Sequence, residues 1–172
     1  MMLKLERPRI ELKELLFEMC ADYIAHQENR YLLQTIREVE QKIDRDIQAA
    51  SANPSGGLLP SITYWFIDPM GKLVGTSRLR PELNASLLEE GGNIGYDVRP
   101  SSRRLGYGTE ILRLMLDVAR QSGLSKLLLT CDDDNIGSAK IIEKNGGRLE
   151  DRRYLEDKRK TVRRYWIGIT PE

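Results

Sequence analysis

Residues 98 to 109 read Val98-Arg99-Pro100-Ser101-Ser102-Arg103-Arg104-Leu105-Gly106-Tyr107-Gly108-Thr109, and this stretch decides how the rest of the chain is read. It lies between a β-rich segment and an amphipathic helical one. Arg103-x-x-Gly106-x-Gly108 places two glycines where the helix begins. The first backbone N–H groups of a helix have no partner within it, and the helix dipole adds positive potential at that end. Glycine removes the Cβ that would obstruct a close approach, so a pyrophosphate can rest on the amides, with Arg103 and Arg104 adding charge. Two readings fit the glycine pair alone: an anion cradle for a nucleotide-like ligand, or a glycine-eased turn with solvated arginines. Two other phosphate motifs are excluded. No Gly-x-x-x-x-Gly-Lys-Ser/Thr occurs, and Ile111 stands where a dinucleotide motif needs its third glycine.

Downstream, 106–121 reads as a helix with Ile111, Leu112, Met115, Leu116 and Ala119 on one face and Gly123 ending it. Then come a buried strand at 126–131, a short helix at 135–144 stopped by Gly146-Gly147, and a tail hairpin of 148–154 and 161–169. Upstream, 93–98 reads as a strand, 81–92 as loop or short helix, and 62–67 with 73–79 as a hairpin around Asp68-Pro69-Met70-Gly71. The Pro- and Gly-rich 51–60 is a loop. Two helices precede it. The first, 10–27, carries Leu12, Leu15, Leu16, Met19 and Tyr23; the second, 31–50, carries Leu32, Ile36, Val39, Ile43 and Ile47, with Glu38, Glu40, Lys42, Asp44 and Arg45 on its wet side. Residues 2–6 form a short edge strand. The order describes one α/β domain over 1–172, without internal repeats, in which the passage through 106–131 is a right-handed crossover.

Composition narrows the function. The 172 residues are 40% hydrophobic and 31% charged, as a globular protein requires, yet 27 basic residues meet 26 acidic ones for a net charge of +1. A general polyanion binder needs excess basic charge, so no nucleic-acid partner is expected, and the basic tail reads as a polar hairpin. Cys20 and Cys131 are far apart and lack zinc-ligand spacing, so no disulfide framework and no metal site are expected. The lone His26 reads as a surface or core residue. With no signal peptide and no apolar run long enough to span a bilayer, no membrane association is expected, and the address is cytoplasmic.

The motif Val98-x-Pro100-x-x-Arg103-x-x-Gly106-Tyr107-Gly108 resembles the acetyl-CoA-binding signature of the GNAT-type N-acetyltransferase superfamily. Leu129 to Ser138 and Glu143-Lys144-Asn145-Gly146-Gly147 resemble the strand and helix that follow it there. The resemblance covers about 62–169 and implies a GNAT-like single domain, a strongly twisted mixed sheet of about seven strands with helices on both faces and a splay between the fourth and fifth strands. It implies acetyl-CoA as co-substrate. Val98 would meet the pantetheine arm through its backbone, and Arg103, Arg104, Leu105, Gly106, Tyr107, Gly108 and Thr109 would hold the pyrophosphate. Asn135 and Ser138 would stand near the sulfur. Asparagine also suits a helix N-cap.

The implied reaction is attack of a neutral amine on the thioester, which needs a base, a polarised carbonyl and an acid for the departing thiolate. Here the chain departs from the family. Ile142 occupies the position of a frequent tyrosine acid, and Gly92 that of a glutamate base. The remaining candidates are Glu89, Glu90 and Asp97 as bases and Tyr96, Tyr154 and Tyr165 as acids, with Tyr154, Glu90 and Asp97 preferred. Cys131 reads as a buried structural thiol. Arg78 and Arg80 share one face of the third strand; they either bind a carboxylate or phosphate on the acceptor or are simply a solvated pair. The expected function is acetyl transfer to a primary amine of a small molecule or peptide. A non-catalytic acyl-CoA-binding regulatory module is the alternative, and a homodimer is left open.

Overall fold

A computed structural model describes residues 2–51 and 59–169. Most of the loop expected at 51–60 therefore lies outside the described residues.

Two antiparallel sheets make up the strand framework. The first has the order β1-β2-β3-β4, from Lys4–Glu6, Ile62–Ile67, Leu73–Leu79 and Ile94–Val98; the second has the order β5-β7-β6, from Lys126–Asp132, Lys160–Gly168 and Arg148–Leu155. The helices are α1 (Lys13–Ala25, entered through a short 3-10 turn), α2 (Ile36–Gln48), α3 (Ala85–Glu89), α4 (Tyr107–Gln121) and α5 (Ile136–Lys144). This is the α/β architecture expected, with every registered strand pair antiparallel.

Strand alternation sorts the core into two clusters. Trp65, Ile67 and Leu73 pack under α1 and α2 with Leu16, Met19, Cys20, Tyr23, Val39 and Ile43. Phe66, Val74, Leu79 and Ile94 face the other way, against Ile111, Leu112, Met115 and Leu116 of α4 and Ile142 of α5. The predicted α4 stripe is buried in full.

Helix α2 is shorter than its apolar pattern suggests. Thr35 caps it: its hydroxyl accepts from the Glu38 N–H while the Glu38 carboxylate accepts from the Thr35 N–H, a reciprocal pair that fixes the first turn. Leu32 thus falls before the helix and is 54% exposed. Lys42, expected on the wet side, bonds Asp46, which is buried.

Edge strands β4 and β5 belong to different sheets, and the chain crosses between them through α4. They are tied together where the chain enters β4. Asn93 donates its N–H to the Leu128 carbonyl at 2.7 Å, while its Oδ1 accepts from the Leu128 N–H at 2.8 Å. Its Nδ2 donates to the Arg80 carbonyl at 2.9 Å, and its own carbonyl accepts from the Arg80 N–H at 2.7 Å. Asn93 thus ties both sheets through its main chain and its side chain, and the Gly91 N–H adds a bond to the Thr130 hydroxyl of β5 at 2.8 Å. Beyond this clasp β4 and β5 diverge. Gly92, just before it, has φ +62°, and a Cβ there would stand 2.3 Å from the Leu128 oxygen, so no side chain fits.

Candidate active site

Strand β4 is the wall on which the site is built. The Arg99 N–H bonds the Val74 carbonyl of β3, so by antiparallel alternation the main-chain groups of Val98 and Tyr96 face away from β3, toward the gap beside β5. Side chains alternate as well. Tyr96 and Val98 pack on the α4 side, whereas the cross-strand partners of Gly95 and Asp97 are Arg78 and Thr76, on the α1–α2 side. A cavity opens on each face.

The larger cavity, about 1210 Å³, runs along the gap from the start of α4 to the start of α5. Of the residues that the resemblance assigns to the cofactor, Val98, Arg103, Arg104, Gly106, Gly108, Thr109, Asn135 and Ser138 line it, and Leu105 and Tyr107 do not. Leu105 is exposed, and Tyr107 packs against the core with its hydroxyl 3.5 Å from Asp68. Gly106, at φ +87°, is the N-cap of α4, and its carbonyl receives the first helical bonds from Thr109 and Glu110. The Tyr107 and Gly108 N–H groups precede those bonds and remain for an anion. Gly108 serves packing too: a Cβ there would come within 2.6 Å of Ile141 Cδ1.

Arg103 is not a free cation. Glu28 grips its guanidinium at 2.6 and 2.7 Å, its Nε donates to the Val98 carbonyl at 3.1 Å, and the group sits over the Tyr23 ring. This pairing holds the Glu28 carboxyl below the ordinary range. The Val98 carbonyl also accepts from the Tyr23 hydroxyl, so what Val98 offers a ligand is its N–H. Sequence reasoning missed Glu28 and Tyr23, because they come from a helix and loop far up the chain.

At the inner end, Asn135 caps α5 by accepting from the Ser138 N–H at 3.0 Å. The Tyr96 and Ser138 hydroxyls lie 2.8 Å apart, beside buried Cys131. Burial raises the Tyr96 pKa, so its hydroxyl keeps its proton at neutral pH. Burial likewise pushes the Cys131 thiol up to about 11. Ile142 is fully buried in the core and does not line the cleft, and a Cβ at Gly92 would stand 2.3 Å from the Leu128 oxygen.

The other candidates separate clearly. Tyr154 is 52% exposed on β6 and lines neither cavity, and Tyr165 is buried with its hydroxyl on Glu143. Glu90 lines the cleft, but Lys158 and Lys160 hold its carboxylate; their bonds outweigh the opposing effect of burial and keep its pKa low, which weakens it as a base. Asp97 lines both cavities and accepts from Arg30 at 2.8 and 2.9 Å and from the Tyr31 hydroxyl at 3.4 Å.

The second cavity, about 300 Å³, lies on the opposite face of β4, beneath α1 and α2. Arg78 lines it, and Arg80, Arg30, Gly95 and Asp97 line both chambers. The two chambers therefore share a wall, a layout suited to two substrates that approach one reacting centre from opposite sides. Among the described residues no cluster of metal-ligating side chains occurs, and no helix is long and apolar enough to cross a membrane.

Comparisons with known proteins bear on the family and the fold. The family model for the acetyltransferase (GNAT) domain matches residues 3–148. A search of curated proteins found no match. Among solved structures, the microcin C7 self-immunity acetyltransferase MccE, in complex with acetyl-CoA and AMP, superimposes with a TM-score of 0.75 at 14% identity, covering 97% of this chain and 92% of that one. The ribosomal L7/L12 alpha-N-protein acetyltransferase RimL, in complex with coenzyme A, gives 0.73 at 17% identity over 99% and 96%. The spermidine/spermine N-acetyltransferase SpeG of Vibrio cholerae gives 0.65 at 16% over 97% and 95%. At these identities the superpositions speak to fold.

Proposed function

The chain belongs to the GNAT acetyltransferase family and is an acyltransferase, and from that premise we propose that it moves an acetyl group from acetyl-CoA to a primary amine of a small molecule or peptide, by direct attack in a ternary complex. The supporting observation is the shared wall: a long cleft with a helix N-terminus at one end and a polar chamber behind it, joined at Gly95 and Asp97. A diphosphate would rest on the Tyr107 and Gly108 amides with Arg104 beside it. The pantetheine arm would lie along the outward-facing main chain of Val98 and Tyr96, where N–H groups can also polarise the thioester carbonyl.

The amine enters from the chamber and must shed a proton before attack. We assign that proton to Asp97, directly or through water; because Arg30 and Tyr31 hold its carboxylate much as the lysines hold Glu90, it can accept the proton only once the Arg30 pairing opens. As the C–S bond breaks, the thiolate takes a proton from the Tyr96–Ser138 hydroxyl pair, which replaces the tyrosine lost at Ile142. Tyr154 has no place in this scheme. No metal is needed for these steps.

Calorimetric titration with CoA tests the cleft. Release of free thiol from acetyl-CoA with a panel of amines tests the transfer. Micromolar CoA binding with amine-dependent thiol release is expected. A protein that fails to bind CoA overturns the whole reading. One that binds CoA tightly, yet releases no thiol with amino acids, polyamines or peptide N-termini, is instead a regulatory acyl-CoA binder.

A further inference from the structure

The smaller chamber has an unbalanced charge. Four cations line it (Arg30, Lys42, Arg78 and Arg80) against two carboxylates, Asp46 and Asp97. Asp97 is committed to Arg30 through both oxygens, and Asp46 to Lys42. Arg78 reaches Asp46 only at 3.4 Å. Arg80 has no carboxylate among the described residues: its Nη1 donates to the carbonyls of Gly91 and Gly92, at 3.4 and 3.1 Å. Burial, together with the neighbouring charges of Arg78 and Arg30, disfavours its charged form. A guanidinium held in such a place is a cost that an incoming anion removes.

Other features point at the same spot. Thr63 is 6% exposed, lines the chamber, and its hydroxyl has no partner among the described residues. A buried hydroxyl without a bond is unfavourable and is expected to be satisfied by water or ligand. Thr63 stands opposite Arg78 in the β2–β3 register, and Arg78 opposite Gly95 in β3–β4. Gly95 leaves the space before Arg80 open: a Cβ there would find Arg80 Nη1 at 3.8 Å and nothing nearer.

Resting on the acetyl-transfer reading above, we propose that the acceptor is a small amine bearing an anionic group, a carboxylate or a phosphate, which Arg80 and Arg78 hold while the amine is presented to the shared wall at Asp97. The same excess of positive charge repels polyamines. The chamber's size favours an amino-acid-like or phosphoamine-like molecule, or the end of a larger one. Arg80 and Arg78 are therefore specificity-determining residues, and Thr63 supplies a further hydroxyl to the anion.

The test begins with protein saturated in CoA, so that the diphosphate site is filled. Inorganic phosphate and acetate are titrated separately at constant ionic strength against chloride, with binding read by calorimetry. At least one anion is expected to bind the wild type, to weaken about thirtyfold or more in Arg80→Gln, and to weaken measurably in Arg78→Gln, whose CoA affinity stays unchanged. Whichever anion binds identifies the source. In parallel, thiol release is compared for matched acceptors, phosphoethanolamine against ethanolamine and β-alanine against 3-aminopropanol, with spermidine alongside. The charged member of a pair is expected to exceed its neutral counterpart by at least about tenfold in kcat/KM, with spermidine the poorest. The proposal falls if neither anion binds the CoA-loaded protein, if both variants bind it as the wild type does, or if spermidine or a neutral amine is the better acceptor. If no panel amine reacts, the anion titration decides. Failure of CoA itself to bind refutes the acetyl-transfer reading instead.

Discussion

Replacing Asn93 with alanine removes the clasp between the two sheets. The side chain is 4% exposed and bonds Leu128, which is fully buried, and the Arg80 carbonyl. Its loss orphans the Leu128 N–H, at a cost of about 1–3 kcal/mol for a buried donor, and deletes a second bond worth about 1 kcal/mol. The Asn93 main-chain bonds survive, so the fold should persist with a loss of about 2–4 kcal/mol. For a domain of this size each kcal/mol lowers Tm by roughly 2–4 °C, which gives a fall of about 6–12 °C for 3 kcal/mol. Because the clasp sets where β4 and β5 diverge, the CoA affinity should fall as well. Thermal unfolding in the absence of ligand measures the first effect and calorimetric titration of CoA the second. A loss under about 0.5 kcal/mol with unchanged affinity would refute the idea that one side chain sets the splay.

Further outcomes follow from the same geometry. Gly106→Glu puts a side chain and a negative charge at the start of α4, and CoA binding should weaken by about a hundredfold or more while circular dichroism stays native. Tyr96→Phe should lower kcat by about a hundredfold and leave the CoA dissociation constant within about threefold; an unchanged kcat removes Tyr96 as the acid. Thr63→Val deletes the orphaned hydroxyl at nearly constant volume, so the ligand-free protein should be unchanged or more stable by up to about 1 kcal/mol, and a clear loss in urea unfolding would show that the hydroxyl has a partner. With burial raising both thiols to about 11, iodoacetamide at pH 8 should label native Cys20 and Cys131 slowly, and labelling should quicken as pH rises toward that value. Complete modification of the native protein within minutes at pH 8 contradicts those pKa values.

The strand and helix order was legible because period-2 and period-3.6 patterns are local, and the glycine pair at Gly106 and Gly108 marks a helix start whatever surrounds it. The start of α2 was missed although its signal was present: Thr35-x-x-Glu38 is a capping box, and it outweighed the apolar Leu32. The helical pattern puts Lys42 in water, and nothing local announces that Asp46, one turn away, is drawn inward and reached by Arg78 of β3. The occupied state of Arg103 could not be read either, since Glu28 lies 75 positions earlier. The motif thus marks a candidate anion site, but the partners of its charged members are set by tertiary contacts. Gly92 shows the opposite case. The sequence showed only a missing carboxylate, while the backbone shows why none could be there: the Leu128 oxygen occupies the space.

The partition between the two chambers also determines how variants of this enzyme can be interpreted. Arg30, Arg80, Gly95 and Asp97 border both compartments, so, under the proposed assignment of one chamber to each substrate, kinetic lesions at these positions will surface in the constants for donor and acceptor together. Kinetics alone cannot ascribe such lesions to one substrate; a binding titration with the other site saturated, as for Arg80→Gln above, is needed. Clean kinetic dissection requires positions that touch a single compartment: Thr63 or Arg78 on one side, Arg104 or Thr109 on the other.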